Sequence, residues 1–489
     1  MFVTSIQSRP CLAPMRRAGH PGTGRSTPPV AVRAASAQDA ARVLELAASK
    51  PEGEAKKLDA RAFRRSLSKS GTYTKRLTNE EGPLQSMDAH GVGYSRTGLV
   101  AQMRETGNTW QQAGITVILA EAYGFCWGVE RAVQMAYEAR HRYPDAELHI
   151  TNEIIHNPSV NDRLREMGVH FIATRDDGLK DFSRVAAGDV VILPAFGAAV
   201  GEMKDLHERG VQIVDTTCPW VSKVWNAVDN QARKGHTSII HGKWAHEETV
   251  ATASFAGTYL IVKDLAEAEW VCDFMVNGGD SAFFLEKFKH AYSEGFDPVR
   301  DLQCIGMANQ TTMLKGETQA IGKLLERTQL QRFGPGELSR RFMIMDTICD
   351  ATQERQDAVF KITGAQERPE EALDMLLVVG GFNSSNTSHL QEIGEMKGIP
   401  SFWVDCADRV DVSTNSVLHK LAHGELVETR DWIPRDASMP LRIGVTSGAS
   451  TPDRAVEDVL DRIFRIRDPN FKGIQPRATK VGKPQHAEI

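Results

Sequence analysis

Three cysteines stand in the same local grammar. Cys126 follows TVILAEAYGF and precedes WGVERAVQMAYEAR; Cys218 lies between VQIVDTT and PWVSKVWNAV; Cys349 lies between RFMIMDTI and DATQERQDAVFKI. Each time an apolar, β-branched run ends in a short turn, the thiol comes next, and a segment of helical period begins. A thiol at the start of a helix sits at the positive end of the helix dipole, which favours the thiolate that a soft metal takes as ligand. Three such thiolates suit either a tetrahedral zinc ion or a cubane iron–sulfur cluster. A cluster with three cysteine ligands keeps one open iron that can meet a substrate oxygen, whereas a pure electron carrier is normally closed by a fourth cysteine.

The chain has seven cysteines. An odd number without a secretory signal argues against a disulfide framework and for metal or redox chemistry. Cys272 and Cys304 sit inside apolar runs and read as core, Cys11 belongs to the N-terminal segment, and Cys406, after the run SFWVD, is the one rival ligand.

Other strand ends carry polar groups. His156 lies in EIIHNP, His246 and Glu248 in HGKWAHEE, and Thr311 and Thr312 follow Asn309 and Gln310. Ser384, Ser385 and Asn386 follow VVGGF, and Ser450 lies in GVTSGASTPD. Singly, such serines are more often turn and cap residues, and such histidines satisfied core groups. Together, hydroxyls, amides and backbone N–H groups at strand ends make cradles for anions, phosphate above all. Neither a Walker motif nor a dinucleotide fingerprint accompanies them. A phosphate pocket beside an open redox cluster points to reduction of a phosphorylated substrate.

The elements that must hold these residues are short buried strands (TVILAEA, DVVILPA, VQIVDTT, TSIIHG, YLIVKD, FMIMDT, MLLVVGG, LRIGVTSG) alternating with helical stretches. That alternation predicts an α/β fold with parallel sheets and sites at the carboxyl ends of strands. The cysteines are separated by roughly 90 and 130 residues, which suggests one α/β domain per thiol and a three-domain trefoil around a central site. The expected divisions are 1–38, a transit peptide; 39–115, a polar and basic extension lying on the outside; 116–217, 218–348 and 349–468, the three domains; and 469–489, a loose tail.

Composition sets further bounds. With 41% hydrophobic and 25% charged residues the chain is ordinarily globular, and no apolar run is long enough for a membrane helix. The first 38 residues lack Asp and Glu but carry Arg9, Arg16, Arg17, Arg25 and Arg33, a composition typical of an organelle transit peptide and shared by expression scars and disordered basic arms. Their removal takes the net charge from -5 further negative, which predicts no nucleic-acid partner. Lys56, Lys57, Arg61, Arg64, Arg65, Lys69, Lys75 and Arg76 form a basic stretch suited to steering an acidic electron donor, or equally to a solvated surface.

The segments AYGFCWGVERAV, EIIHNPSVN, DTTCPWVSKVW, HGKWAHEETVATASF, ANQTTMLKGET, DTICDATQERQDA, GGFNSSNTSHLQEI and GVTSGASTPD strongly resemble the 4-hydroxy-3-methylbut-2-enyl diphosphate reductase family (LytB/IspH), in its plant and cyanobacterial branch, over about residues 116 to 465. The resemblance implies a [4Fe-4S] cluster on Cys126, Cys218 and Cys349 with one open iron. It implies a diphosphate held by His156, His246, Ser384, Ser385, Asn386 and Ser450, Thr311 ordering water or the substrate hydroxyl, and Glu248 delivering protons. It also implies ferredoxin as electron donor and a plastid stroma location, while the oligomeric state, a homodimer included, stays open. Phe196, in Pro-Ala-Phe-Gly, stands where the bacterial branch has a histidine, so one diphosphate contact is in doubt. A quinolinate-synthase-like dehydratase also uses three cysteines from three α/β domains, but its motifs are absent; an iron–sulfur scaffold or electron carrier needs no phosphate pocket.

Overall fold

Apolar runs of four or five residues become strands buried along their whole length. Val190–Leu193, Thr237–His241 and Met375–Val379 are buried at every position, as expected when helices cover both faces of a parallel sheet. The computed structural model describes residues 59–480 except 79, 177, 346, 369 and 423. The expected transit peptide, Lys56, Lys57 and Asp346 of the third cysteine turn lie outside the described residues.

The strands make three sheets. The first runs Tyr73–Thr74, Gln212–Asp215, Val190–Leu193, Leu148–Ile150, Val169–Phe171, all parallel. The second runs Phe342–Ile344, Ile305–Asn309, Thr237–His241, Tyr259–Val262, again all parallel. The third has a parallel centre of Ser401–Val404, Met375–Val379, Leu441–Ser447 and Ile115–Leu119. Antiparallel strands border it, Thr109–Gln112 on one side and Ser416–Lys420 with its neighbours Val410–Asp411 and Leu426–Arg430 on the other.

The strand before each cysteine belongs to a different sheet. Cys126 follows a strand of the third sheet, Cys218 one of the first and Cys349 one of the second. This corrects the expected grouping of 116–217: Ile115–Leu119 pairs with Leu441–Val445, far along the chain, rather than opening the first sheet. A buried strand declares its apolar faces but not its neighbour, so sequence order misassigned it.

The extension and tail also depart from expectation. Tyr73–Thr74 adds an edge strand to the first sheet, and Leu67, Leu99, Val100 and Met103 are fully or almost fully buried, each such side chain stabilising the fold by about 1.5–3 kcal/mol. The tail is anchored: Gln102 Nε2 donates to the Gln475 carbonyl at 3.0 Å, and Arg477 pairs with Glu105 at 2.8 Å. Among the described residues no helix is long and apolar enough to cross a membrane.

Candidate metal centre and anion site

Each thiol caps a helix. Cys126 precedes Trp127–Arg142, Cys218 precedes Pro219–Arg233 with proline in the first turn, and Cys349 precedes Asp350–Thr363. Cys126 Sγ accepts the Val129 N–H at 3.4 Å. The three meet: a Cβ on Gly128 would lie 2.5 Å from Cys218 Sγ and 3.9 Å from Cys126 Sγ, so glycine keeps the space between those sulfurs clear. Burial first, then the other two thiols, push the Cys218 pKa up strongly, against the pull of the Trp220 and Val221 N–H groups. Burial and then Cys126 push Cys349 up to about 12, with the Thr352 and Ala351 N–H groups opposing. With Cys218 and Cys349 both pushed up by burial and by neighbouring sulfur, at helix starts that converge on Cys126, a compensating cation is needed for them to become thiolates. The all-sulfur donor set therefore fits an iron–sulfur cluster.

Arginines from neighbouring helices brace the turns. Arg355, fully buried, donates to the carbonyls of Tyr123, Gly124 and Phe125, just ahead of Cys126, at 3.4, 2.6 and 3.0 Å. Arg131 donates to those of Thr216 and Thr217, just ahead of Cys218, at 3.3 and 3.4 Å. Asp215, fully buried, accepts the Thr217 N–H at 2.9 Å and faces Lys75 at 3.4 Å. The Asp-Thr-x-Cys motif thus shapes the turn, and Lys75 of the basic stretch is committed to it. Arg64 lies over the Trp225 ring at 4.9 Å, leaving Arg61, Arg65, Lys69 and Arg76 as the exposed cations among the described residues of that stretch.

A second group of side chains is buried without partners. His156 Nε2, Ser385 Oγ and Asn386 Nδ2 have none, and each orphaned polar atom costs about 1–3 kcal/mol unless a ligand meets it. They belong to one locus. Ser450 Oγ donates to the His156 carbonyl at 3.1 Å, Asn386 Oδ1 accepts the Ala449 N–H at 3.0 Å, and a Cβ on Gly381 would collide with the His156 carbonyl. Ser384 caps the helix Ser385–Met396, accepting from Thr387 N at 3.2 Å and Thr387 Oγ1 at 2.9 Å, so its own hydroxyl proton remains available. Buried donors at a helix N-terminus suit an anion.

The two histidines are pushed in opposite directions. His246 accepts the Glu248 N–H at Nδ1 (3.1 Å) and burial drops its pKa to about 3, so the ring is neutral with its proton on Nε2. Burial works against protonation of His156 too, but Glu153 at Nδ1 (3.1 Å), Glu247 near Nε2 (3.8 Å) and Glu248 outweigh it and raise the pKa. Ligating atoms of His156, His246 and Glu247 lie within 4.8 Å of one another. A ring whose Nδ1 is occupied and whose Nε2 is protonated offers a metal no lone pair, so this donor set favours an anion. Phe196 stacks on His156 at 4.2 Å and meets His246 edge-on at 5.9 Å.

Glu248 is 1% exposed, and burial lifts its pKa to about 7 even though Thr311 donates to it twice, from N at 2.6 Å and from Oγ1 at 2.9 Å. Thr311 also ties this acid to the metal centre, since its carbonyl accepts the Cys349 N–H at 3.4 Å. The Cys218 N–H goes to Ala195, beside Phe196, and the Cys126 N–H to Ala449, beside Ser450. Each cysteine amide is therefore pinned within one residue of the polar site. Thr312 instead accepts from Gln310 Nε2 at 2.7 Å.

Of the remaining cysteines, Cys272 is core in the helix Leu265–Asn277, Cys304 touches Arg341 at 3.7 Å, and Cys406 opens the short turn Ala407–Arg409 and is not a free thiol. Sequence reasoning missed Glu153, Arg131 and Arg355. Arg355 lies in the first two turns of the helix after Cys349 among polar residues and carries no signal of burial; Glu153, three residues before His156, had only proximity to mark it.

Comparison with known proteins shows the family. The family model described as LytB protein matches residues 117–464. The chain is 59% identical over 442 residues, covering 90% of it and 88% of the relative, to a Botryococcus braunii protein named 4-hydroxy-3-methylbut-2-enyl diphosphate reductase, chloroplastic. It is 55% identical over 410 residues, covering 84% of it and 98% of the relative, to a Thermosynechococcus vestitus protein named 4-hydroxy-3-methylbut-2-enyl diphosphate reductase. A solved structure from Plasmodium falciparum, described as E-1-hydroxy-2-methyl-but-2-enyl-4-diphosphate reductase, shares the fold with TM-score 0.51 at 20% identity, over 76% of this chain and 96% of that one. With most of its length matched by the family model and relatives this similar, the chain belongs to the LytB family.

Proposed function

We propose that the protein is a 4-hydroxy-3-methylbut-2-enyl diphosphate reductase, taking the hydroxyl from an allylic diphosphate to give isopentenyl and dimethylallyl diphosphate in the last step of the non-mevalonate route. Two electrons and two protons enter; the C–O bond breaks, a C–H bond forms and water leaves. The observation that carries this reading is the junction of three thiol helix caps with orphaned buried donors, joined through Thr311 to a carboxyl poised near neutrality. An electron carrier has no use for those donors.

Cys126, Cys218 and Cys349 would hold a [4Fe-4S] cluster, and the chemistry it would supply is one-electron reduction. His156 as imidazolium, His246 through Nε2–H, and Ser384, Ser385 and Asn386 at a helix N-terminus hold the diphosphate. Ser450, whose hydroxyl donates to the His156 backbone carbonyl, fixes the loop that carries that ring. Phe196 packs against both histidines, which also meet each other edge-on, and excludes water. When Glu248 is ionised it accepts a hydrogen bond from the Thr311 hydroxyl. Once protonated it donates to Thr311 Oγ1, whose own proton then turns to the substrate hydroxyl and assists its departure as water.

Ferredoxin serves as the donor, drawn by Arg61, Arg65, Lys69 and Arg76, and the acid-free leader directs the chain to the plastid, in keeping with the chloroplastic name of the Botryococcus relative. Mössbauer spectra of the holoprotein test the reading. The allylic diphosphate should change the signal of one iron, while a spectrum indifferent to it would leave only an electron carrier.

A further inference from the structure

Glu247, the residue before the acid Glu248, reaches into the anion site. Its side chain is 29% exposed and its Oε2 lies 3.8 Å from His156 Nε2, the face of that ring with no hydrogen-bond partner. Asn152 Nδ2 donates to its other oxygen at 3.2 Å. On the far side Glu247 borders a cleft with Asn152, Lys180 and Glu202. His156 is held at Nδ1 by Glu153 and stacked on Phe196, so its only free polar atom faces a carboxylate.

We infer that Glu247 is an internal stand-in for the diphosphate, occupying the His156 Nε2 face in the free enzyme and yielding it, toward Asn152 and Lys180, when the ligand arrives. The inference rests on the reading of His156 as a diphosphate ligand. Two opposing consequences follow. A carboxylate beside the incoming anion repels it, so Glu247 weakens binding. The same carboxylate keeps His156 charged in the empty site, so Glu247 holds the site receptive to higher pH. The charged and titratable groups facing the pair are Glu153 from the His156 loop, His246, Glu248 and Lys243 around the next helix start, and Lys180 across the cleft. Burial works against ionisation of Glu247, but His156 and, further off, Lys180 outweigh it and lower its pKa. It is a positioning residue, setting the affinity and pH range of the anion site rather than moving a proton to the reacting atoms.

Inorganic pyrophosphate binding to the anaerobic holoprotein, measured from pH 6 to 9 by calorimetry, tests this with E247Q, which keeps the shape and the Asn152 contact. The variant should bind about fivefold tighter at the acid end, the order expected for removing one unit charge in a partly solvated pocket, and lose that advantage at the alkaline end. Crossing affinity profiles are the signature. Equal profiles, or weaker binding by one constant factor at every pH, overturn the inference about Glu247 alone. Pyrophosphate that does not bind the wild type, or does not compete with the allylic diphosphate, overturns the anion site and the inference together.

Discussion

Replacing Glu248 by glutamine separates the acid's chemistry from its structural burden. The side chain is buried, and its pKa rises from 4.5 to about 7, a shift worth about 3 kcal/mol against the ionised folded state. The sign follows from the two states. Below pH 4.5 the carboxyl is protonated whether folded or unfolded, and nothing is lost; as pH rises toward 7 the unfolded chain ionises first, so stability falls, and above 7 the loss is constant. Glutamine retains size and can still meet Thr311 N and Oγ1, but it never ionises. E248Q should therefore match wild type in stability near pH 4.5 and exceed it by roughly 1–3 kcal/mol at pH 8, while turnover falls about a hundredfold or more. Wild-type turnover should decline above pH 7 as the proton is lost, and the residual activity of the variant should lack that limb. The assays are anaerobic turnover across pH and thermal melting at matched cluster loading. Near wild-type turnover in E248Q would refute the proton-delivery role; identical melting at pH 8 would refute the burial argument beneath it.

Serine at Cys126, Cys218 or Cys349 should abolish the brown iron–sulfur absorbance or render it labile, whereas serine at Cys272, Cys304 or Cys406 should leave it; bleaching in C406S but not in C349S would reject the ligand assignment. Gly128→Ala adds a helix-favouring methyl worth about 1 kcal/mol on an open helix, but with its Cβ 2.5 Å from Cys218 Sγ it should make cluster loss to a chelator about tenfold faster; unchanged loss would show that the sulfurs need no such clearance. Glutamine at Arg61, Arg65, Lys69 and Arg76 should raise the ferredoxin concentration needed for half-maximal turnover and flatten its salt dependence, with no change for a small neutral reductant; unchanged ferredoxin kinetics would make the stretch a structural extension only.

The strands that bear the site residues were legible because buried parallel strands are near-continuous β-branched runs, and VQIVDTT, MLLVVGG and LRIGVTSG all became strands. Pairing was not legible. The run TVILAEA gives no hint that Ile115–Leu119 pairs with Leu441–Val445, in a sheet whose other parallel strands, Met375–Val379 and Ser401–Val404, also come from late in the chain. Short strands such as Leu148–Ile150 and the hairpin Ser416–Lys420 with Leu426–Arg430 also escaped, three residues being too few for a period and the hairpin being only partly buried. At the site, the thiols stood out by a repeated context that chemistry explains. Glu153, Glu247, Arg131 and Arg355 did not, because charged residues on loops and helices are ordinarily solvated and only the fold turns these inward. The polar extension misled for the converse reason: a few apolar residues, Leu67 and Leu99 to Met103 among them, suffice to bind a mostly charged segment to the core.

The central claim is tested most directly by anaerobic incubation of the reconstituted holoprotein with 4-hydroxy-3-methylbut-2-enyl diphosphate and a reductant, with the products resolved by chromatography. The account predicts isopentenyl and dimethylallyl diphosphate, formed with two electrons consumed per product and lost when any one of Cys126, Cys218 or Cys349 is serine. Intact substrate after incubation with a fully loaded, reduced cluster would contradict it.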